Sequence, residues 1–202
     1  LSAFYFEIRK DRLYCEALDS VERRACRTVM NEVFERLTAW LAPILCFTAE
    51  EAWQSRVQDI GNSVHLRSYE AIPSVWRDAA VGARWDGIRQ VRQVVTSALE
   101  TARNDGAIGA SLQAAPTVHV SAELSALFDG EDAASLFITS AAQISTDAAP
   151  ADAFRLEGVE DVAVAFAPAD GGKCARCWRI MPEVTDSRDI CQRCDDVVNA
   201  GA

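Results

Sequence analysis

Apolar residues recur at helical spacing through residues 20–42, SVERRACRTVMNEVFERLTAWLA. Ala25, Val29, Val33, Leu37 and Leu41 fall on one stripe, and Met30, Phe34 and Trp40 widen it, which predicts an amphipathic helix with that stripe inward. Asp19 or Ser20 supplies the N-cap, and Glu22 sits where the helix dipole favours an acid. Pro43 breaks or kinks the helix. A second helix opens at TAEEAW, where Thr48 and Glu51 have capping-box spacing. Residues 55–83 contain Gly61 and Pro73 with few periodic positions, and read as a connection of short turns. Residues 84–105 predict a third helix, with Trp85, Ile88, Val91, Val95, Leu99 and Ala102 inward and Gly106 at its C′ position.

After Gly106 the period changes. PTVHV, LFITSAAQI and VEDVAVAFA are short β-branched or alternating runs, and AELSALF and EDAASLF between them look like short helices. The expected architecture is a mostly α-helical bundle (residues 1–106), a small acidic α+β segment (107–170) and a C-terminal cysteine-rich module (171–202).

Length and charge refine this picture. At 202 residues the chain is long enough for a genuine core and one to two domains. No apolar run reaches the ~18 residues of a membrane span, and the N-terminus LSAFYFEIRKDR is not a signal peptide. Lacking an initiator Met, it reads as the interior of a longer protein. An odd count of seven cysteines without a secretory signal points to the reducing cytoplasm. The net charge of −10 is concentrated: residues 105–170 carry one Arg, Arg155, against eleven acids, while the stretches on either side are balanced. A polyanion can therefore approach the ends while the middle faces away, although a solvated acidic surface without further meaning accounts for the charge equally well.

The most specific motif is GGKCARCWRIMPEVTDSRDICQRC, residues 171–194. Cys174, Cys177, Cys191 and Cys194 form C-x2-C-x13-C-x2-C. Each pair places two sulfurs on one tight turn, and two turns make a tetrahedral four-sulfur cage suited to one structural Zn2+. The segment between the pairs is too small to fold by burial alone, so metal binding supplies folding free energy. A disulfide pair, a redox dithiol or a rubredoxin-type iron site are the competing readings. Four protein ligands leave no open coordination position, so the site is architectural. Lys173, Arg176, Trp178, Arg179 and Arg193 surround the ligands. An aromatic and guanidinium groups on a rigid knuckle suit stacking on unpaired bases and pairing with phosphates, whereas the plainer role for Trp178 is to pack beneath its own small core. Cys15, Cys26 and Cys46 occupy isolated apolar positions and read as inert core thiols.

No catalytic constellation accompanies the motif. His65 and His119 lack triad or metal companions, and no glycine-rich phosphate loop is present. By its residues alone the chain reads as a binding module.

Four stretches in order, FYFEIRKDRLYCEA (4–17), TAWLAPILCFTAEEAW (38–53), AIGASLQAAPTV (107–118) and KCARCW…ICQRC (173–194), resemble the C-terminal part of bacterial isoleucyl-tRNA synthetases. Cys46 stands where that family's pattern has proline, and Gln113 where Glu is usual. The resemblance implies a helical anticodon-binding domain over residues 1–106, truncated at its N-terminus, and a zinc module that helps hold the anticodon stem-loop of isoleucine tRNA. It implies a larger parent ligase that charges tRNA with isoleucine using ATP. The nucleotide-binding H-I-G-H and K-M-S-K-S motifs of that class and its inserted editing domain are missing here, so this chain alone should neither activate isoleucine nor edit. Helices before residue 1 are expected to cover Val29, Val33 and Leu37. Lys10 and Arg12, beside Ile8 and Leu13, then join Lys173, Arg176, Trp178 and Arg179 as expected tRNA contacts. Arg23, Arg24 and Arg27 do so along one flank of the first helix, against the alternative that they pair with helix acids such as Asp19. Neither a membrane nor DNA is expected as a partner. Two other functions stand beside this one. One is a zinc-ribbon protein-interaction module; the other is a DNA-repair glycosylase sharing the zinc module, which would need an N-terminal Pro-Glu that this chain lacks.

Overall fold

The structure, a computed structural model, describes residues 1–59 and 61–200. Ile60 of the 55–83 connection and residues 201–202 of the 171–202 module lie outside the described residues. The chain forms two compact units, Leu18–Arg77 and Leu1–Ala17 with Asp78–Ala202.

The smaller unit is built from α2 (Val21–Leu41) and α3 (Cys46–Val57), followed by 3-10 turns at Val64–Leu66 and Ser74–Trp76. Ser20 is the N-cap of α2, its Oγ accepting from the Arg23 N–H. The expected inward stripe is not what α2 buries. Cys26, Thr38 and Ala39 are its buried residues, while Ala25, Val29, Trp40 and Leu41 are exposed. The small α3 takes only one strip of α2, centred on Phe34, whose ring stacks on Trp53 at 6.2 Å and 8°. Ala42, Ala49, Trp53 and Val64 complete this core.

Thr48 does not cap α3. The turn after Pro43 lets the helix begin at Cys46 with Leu45 as N-cap, so Thr48 is already inside its first turn. Residue 46 is thus the first helical position, where a proline fits as well as this cysteine. Glu50 serves instead as a local anchor, accepting from Ser63 Oγ and the Val64 N–H, both at 2.9 Å. Cys46 is exposed, not a core thiol as expected, because it sits on the outer face of that turn.

In the larger unit, a π-helical turn at Ser2–Phe6 leads into α1 (Glu7–Cys15), and the long α4 spans Ala79–Asn104. This last helix starts before the expected residue 84 because Asp78 Oδ1 accepts from the Ala80 and Val81 N–H groups at 2.9 and 3.0 Å. Its end is as expected: Gly106 at φ 76° turns the chain, with Ala107 N–H donating to Ala102 O and Gly106 N–H to Arg103 O. A three-stranded sheet follows, with β1 (Thr117–Val120) in the centre, β2 (Gln143–Ser145) parallel to it and β3 (Val162–Ala165) antiparallel. Between β1 and β2 lie the short helices α5 (Ala122–Ala126) and α6 (Ala133–Phe137). LFITSAAQI is therefore not one strand: Leu136 and Phe137 end α6, Ile138 turns in the left-handed region at φ 58°, and pairing begins only at Gln143.

One face of α4, with Ile88, Val91, Val94, Val95 and Leu99, forms the core with Val118, Val162 and Val164 of the sheet and Leu136 and Phe137 of α6. Two α4 arginines fasten the same contact: Arg84 Nε donates to Leu127 O at 2.8 Å and Arg92 Nε to Leu136 O at 2.9 Å, serving carbonyls at the ends of α5 and α6. Because α4 buries its apolar face against the sheet, it shares a unit with residues 107–200 and not with α2 and α3. The C-terminal module comprises a two-residue hairpin, β4 (Gly172–Lys173) with β5 (Ile180–Met181), and α7 (Gln192–Ala200).

Candidate metal centre and nucleic-acid interface

Cys174 and Cys177 sit on the turn of the β4–β5 hairpin, and Cys191 and Cys194 where α7 begins. The hairpin turn is shaped by Trp178 N–H donating to Cys174 O and Cys174 N–H to Arg179 O, both at 2.9 Å, with Trp178 held at φ 66°. Gly171, at φ 114°, lies so close to the β5 backbone that a Cβ there would stand 2.2 Å from Met181 O. All four cysteines are buried, and their sulfurs lie within 4.8 Å of one another.

No disulfide joins them: all seven cysteines are free, and Cys177 Sγ and Cys191 Sγ are 3.8 Å apart. Two sulfurs bound tetrahedrally at the ~2.3 Å typical of zinc–thiolate bonds would be separated by about 3.8 Å. The four side chains can thus hold a metal ion, and a soft all-sulfur donor set suits zinc or iron. Burial raises Cys177, Cys191 and Cys194 above the ordinary thiol value. Burial pushes Cys174 up too, but N–H groups of Cys177, Cys191 and Arg176 outweigh it and bring that thiol to about 6.

The arginines around the sulfurs face inward. Arg176 Nη1 donates to Cys194 Sγ at 3.6 Å and to Cys15 O at 2.7 Å, and its Nη2 to Tyr14 O at 3.2 Å. Arg179 donates to Ser135 Oγ at 2.7 Å and lies 3.8 and 3.7 Å from the Asp11 and Asp132 carboxylates. Arg193 grips Asp11 with both prongs and reaches Glu16 Oε1 at 3.1 Å. Arg12 pairs with Glu16 at 2.9 Å and Asp132 at 3.6 Å. Asp11, Glu16, Asp132 and the exposed Tyr14 were not anticipated from sequence. The only signal available was the mixture of both charges in KDRLYCE, which does not reveal its partner 182 residues away.

Trp178 is different, with 61% of its surface exposed and the Lys173 ammonium 5.6 Å above its ring. Tyr14, 74% exposed, lines a cleft of about 420 Å3 with Trp178, Lys10, Leu112, Arg176 and Arg179. Arg24 and Arg27 are exposed on α2 and Arg23 half-buried there, in the other compact unit. His119 lies in β1 with Nδ1 3.1 Å from Asp147 O, a satisfied strand histidine. Among the described residues, no helix is long and apolar enough to cross a membrane.

Residues 1–120, which carry α1 to α4 and run into β1, match the family described as the anticodon-binding domain of tRNA ligase. The chain belongs to this family. It is 51% identical over 185 residues to the isoleucine–tRNA ligase of Agrobacterium fabrum, covering 91% of this chain and 19% of that protein. Against the isoleucine–tRNA ligase of Ruegeria pomeroyi the identity is 51% over 198 residues, 96% of this chain and 20% of the relative. For that of Gluconobacter oxydans it is 46% over 203 residues. The chain spans about a fifth of the length of these relatives.

Proposed function

We propose that the chain is the tRNA-holding C-terminal part of an isoleucine–tRNA ligase, which grips the anticodon stem-loop of isoleucine tRNA. The catalytic domain of the longer protein then joins isoleucine to that tRNA with ATP in the cytoplasm. The observation that carries this reading is Trp178: a large aromatic left exposed on a buried four-sulfur knuckle, with Lys173 beside it. An exposed indole costs solubility unless it has a partner, and an unpaired base offers the flat apolar face it fits.

On this reading one Zn2+ is bound by Cys174, Cys177, Cys191 and Cys194, where it supplies the covalent-like crosslink that keeps two turns together. Trp178 stacks on an unpaired base, while Lys173 and Lys10 meet phosphates. Arg23, Arg24 and Arg27 track the backbone from α2. Arg12, Arg176 and Arg179 are occupied by carboxylates and carbonyls of this chain, so their proposed part is to place the knuckle against α1, with any phosphate contact made from the edge of the cleft.

The test is metal content and tRNA binding on one preparation, with Cys191→Ser beside it. The expected result is one zinc per chain and tRNA affinity that falls steeply with salt and drops in the variant. Zinc-loaded chain with no tRNA binding at low salt would overturn the reading in favour of a ribbon that docks protein.

A further inference from the structure

Two arginines of the knuckle bind α1: Arg176 touches a cluster sulfur as well, and Arg193 is the neighbour of Cys194 in sequence. Arg176 holds Cys194 Sγ from the second cysteine pair and, with the same guanidinium, the carbonyls of Tyr14 and Cys15. These are carbonyls of the last turn of α1, which no helical N–H can serve. Arg193, next to the ligand Cys194 in sequence, binds Asp11 and Glu16. Arg176 is thus the C-terminal cap of α1, and Arg193 its side clamp.

Charge gives the arrangement direction. A divalent ion with four thiolates carries about −2, and burying that charge requires cations. The guanidinium of Arg176 at Cys194 Sγ, with that of the neighbouring Arg193, supplies such charge, and the demand for it is greatest when the cluster is filled with thiolates around a metal. Helix α1 and the π-helical turn leading into it, nine and five residues, together only reach the ~12–15 residues at which an isolated helix becomes marginal. The first half of α1 is held by Ile8 in the main core, whereas the half from Asp11 to Cys15 is held by the knuckle and, through Arg12, by Asp132 at the start of α6.

We propose that metal occupancy of the cysteine cluster and the folding of the C-terminal half of α1 are a single equilibrium, with Asp11 as the positioning residue that ties them together. The proposal rests on the metal reading above and extends it from the ligands to a helix 160 or more positions away in sequence.

The experiment is amide hydrogen exchange on the full chain with and without a chelator, after metal stoichiometry has been measured. Chelation is expected to increase exchange at residues 12–15 at least about tenfold while Val91–Val95 of α4 stay protected. Unchanged protection at 12–15 in a chain that has lost its metal would overturn the coupling alone. A chain that never takes up metal would overturn the metal reading as well. Asp11→Asn should keep the metal stoichiometry but release metal to a chelator about 10–100-fold faster, the usual scale for residues supporting a metal site from behind its ligands. Release at the wild-type rate in Asp11→Asn would remove Asp11 from this role.

Discussion

Arg193 and Asp11 meet as a two-pronged ion pair, Nη1 to Oδ2 and Nη2 to Oδ1 both at 2.7 Å, across 182 positions of sequence. Their side chains are 31% and 20% exposed, so the pair is neither a solvated surface bridge nor fully buried. Removing one partner would leave the other desolvated. Arg193→Ala is expected to cost about 2 kcal/mol in urea unfolding, below the ~3–5 of a fully buried pair. Arg193→Lys, which keeps the charge but loses the fork, should cost about half as much.

Acid should loosen the same region. Burial raises the Asp11 carboxyl, but the hydrogen-bonded Arg193, with Arg179 and Arg12, outweighs it and holds the group below its ordinary 3.8. Asp132 is likewise lowered: burial opposes, and Ser135 with Arg179 and Arg12 prevails. A carboxyl whose folded value is depressed contributes stability that is fully present above 3.8 and lost as pH falls through the folded value. Thiolate protonation also releases metal, so the comparison is between variants. The urea midpoint should fall less between about pH 5 and pH 3 for Asp11→Asn than for wild type.

Trp178→Ala should leave the unfolding midpoint within about 0.5 kcal/mol of wild type, since the indole is mostly outside. Its affinity for isoleucine tRNA is expected to fall by about 1–3 kcal/mol, the scale of one base stacked on an aromatic side chain. Fluorescence anisotropy titration with labelled tRNA measures this directly.

Gly171→Ala would be severe. A Cβ at 171 would stand 2.2 Å from Met181 O at φ 114°, and backbone cannot yield as a side-chain end would. We expect the β4–β5 hairpin to open, with metal stoichiometry below one per chain by elemental analysis. Gly130→Ala, where a Cβ meets nothing within 4 Å, should lose only the ~1 kcal/mol of its positive φ.

What could be read from residues alone was local. Ser20 as a cap, Gly106 as a helix stop, the buried face of α4 and the four-sulfur cluster all follow from spacings shorter than about twenty residues, at which chain geometry decides which groups meet. The resemblance to isoleucyl-tRNA synthetases was legible for the same reason, in short motifs. Thr48 was misread because its capping box is a local pattern that the turn at Pro43 overrides by starting the helix earlier.

Tertiary structure alone decided which half of α2 faces a partner and where the arginines of the knuckle point. An arginine beside a cysteine pair looks the same in sequence whether it awaits a phosphate or holds a carboxylate 182 positions away. Its long side chain reaches whatever acid or carbonyl the fold brings near, and only folding brings Asp11, Tyr14 and Cys15 to the cluster. Helical and metal-ligand periodicity are properties of neighbouring residues, but the partner of a charge is set by the packing of distant ones.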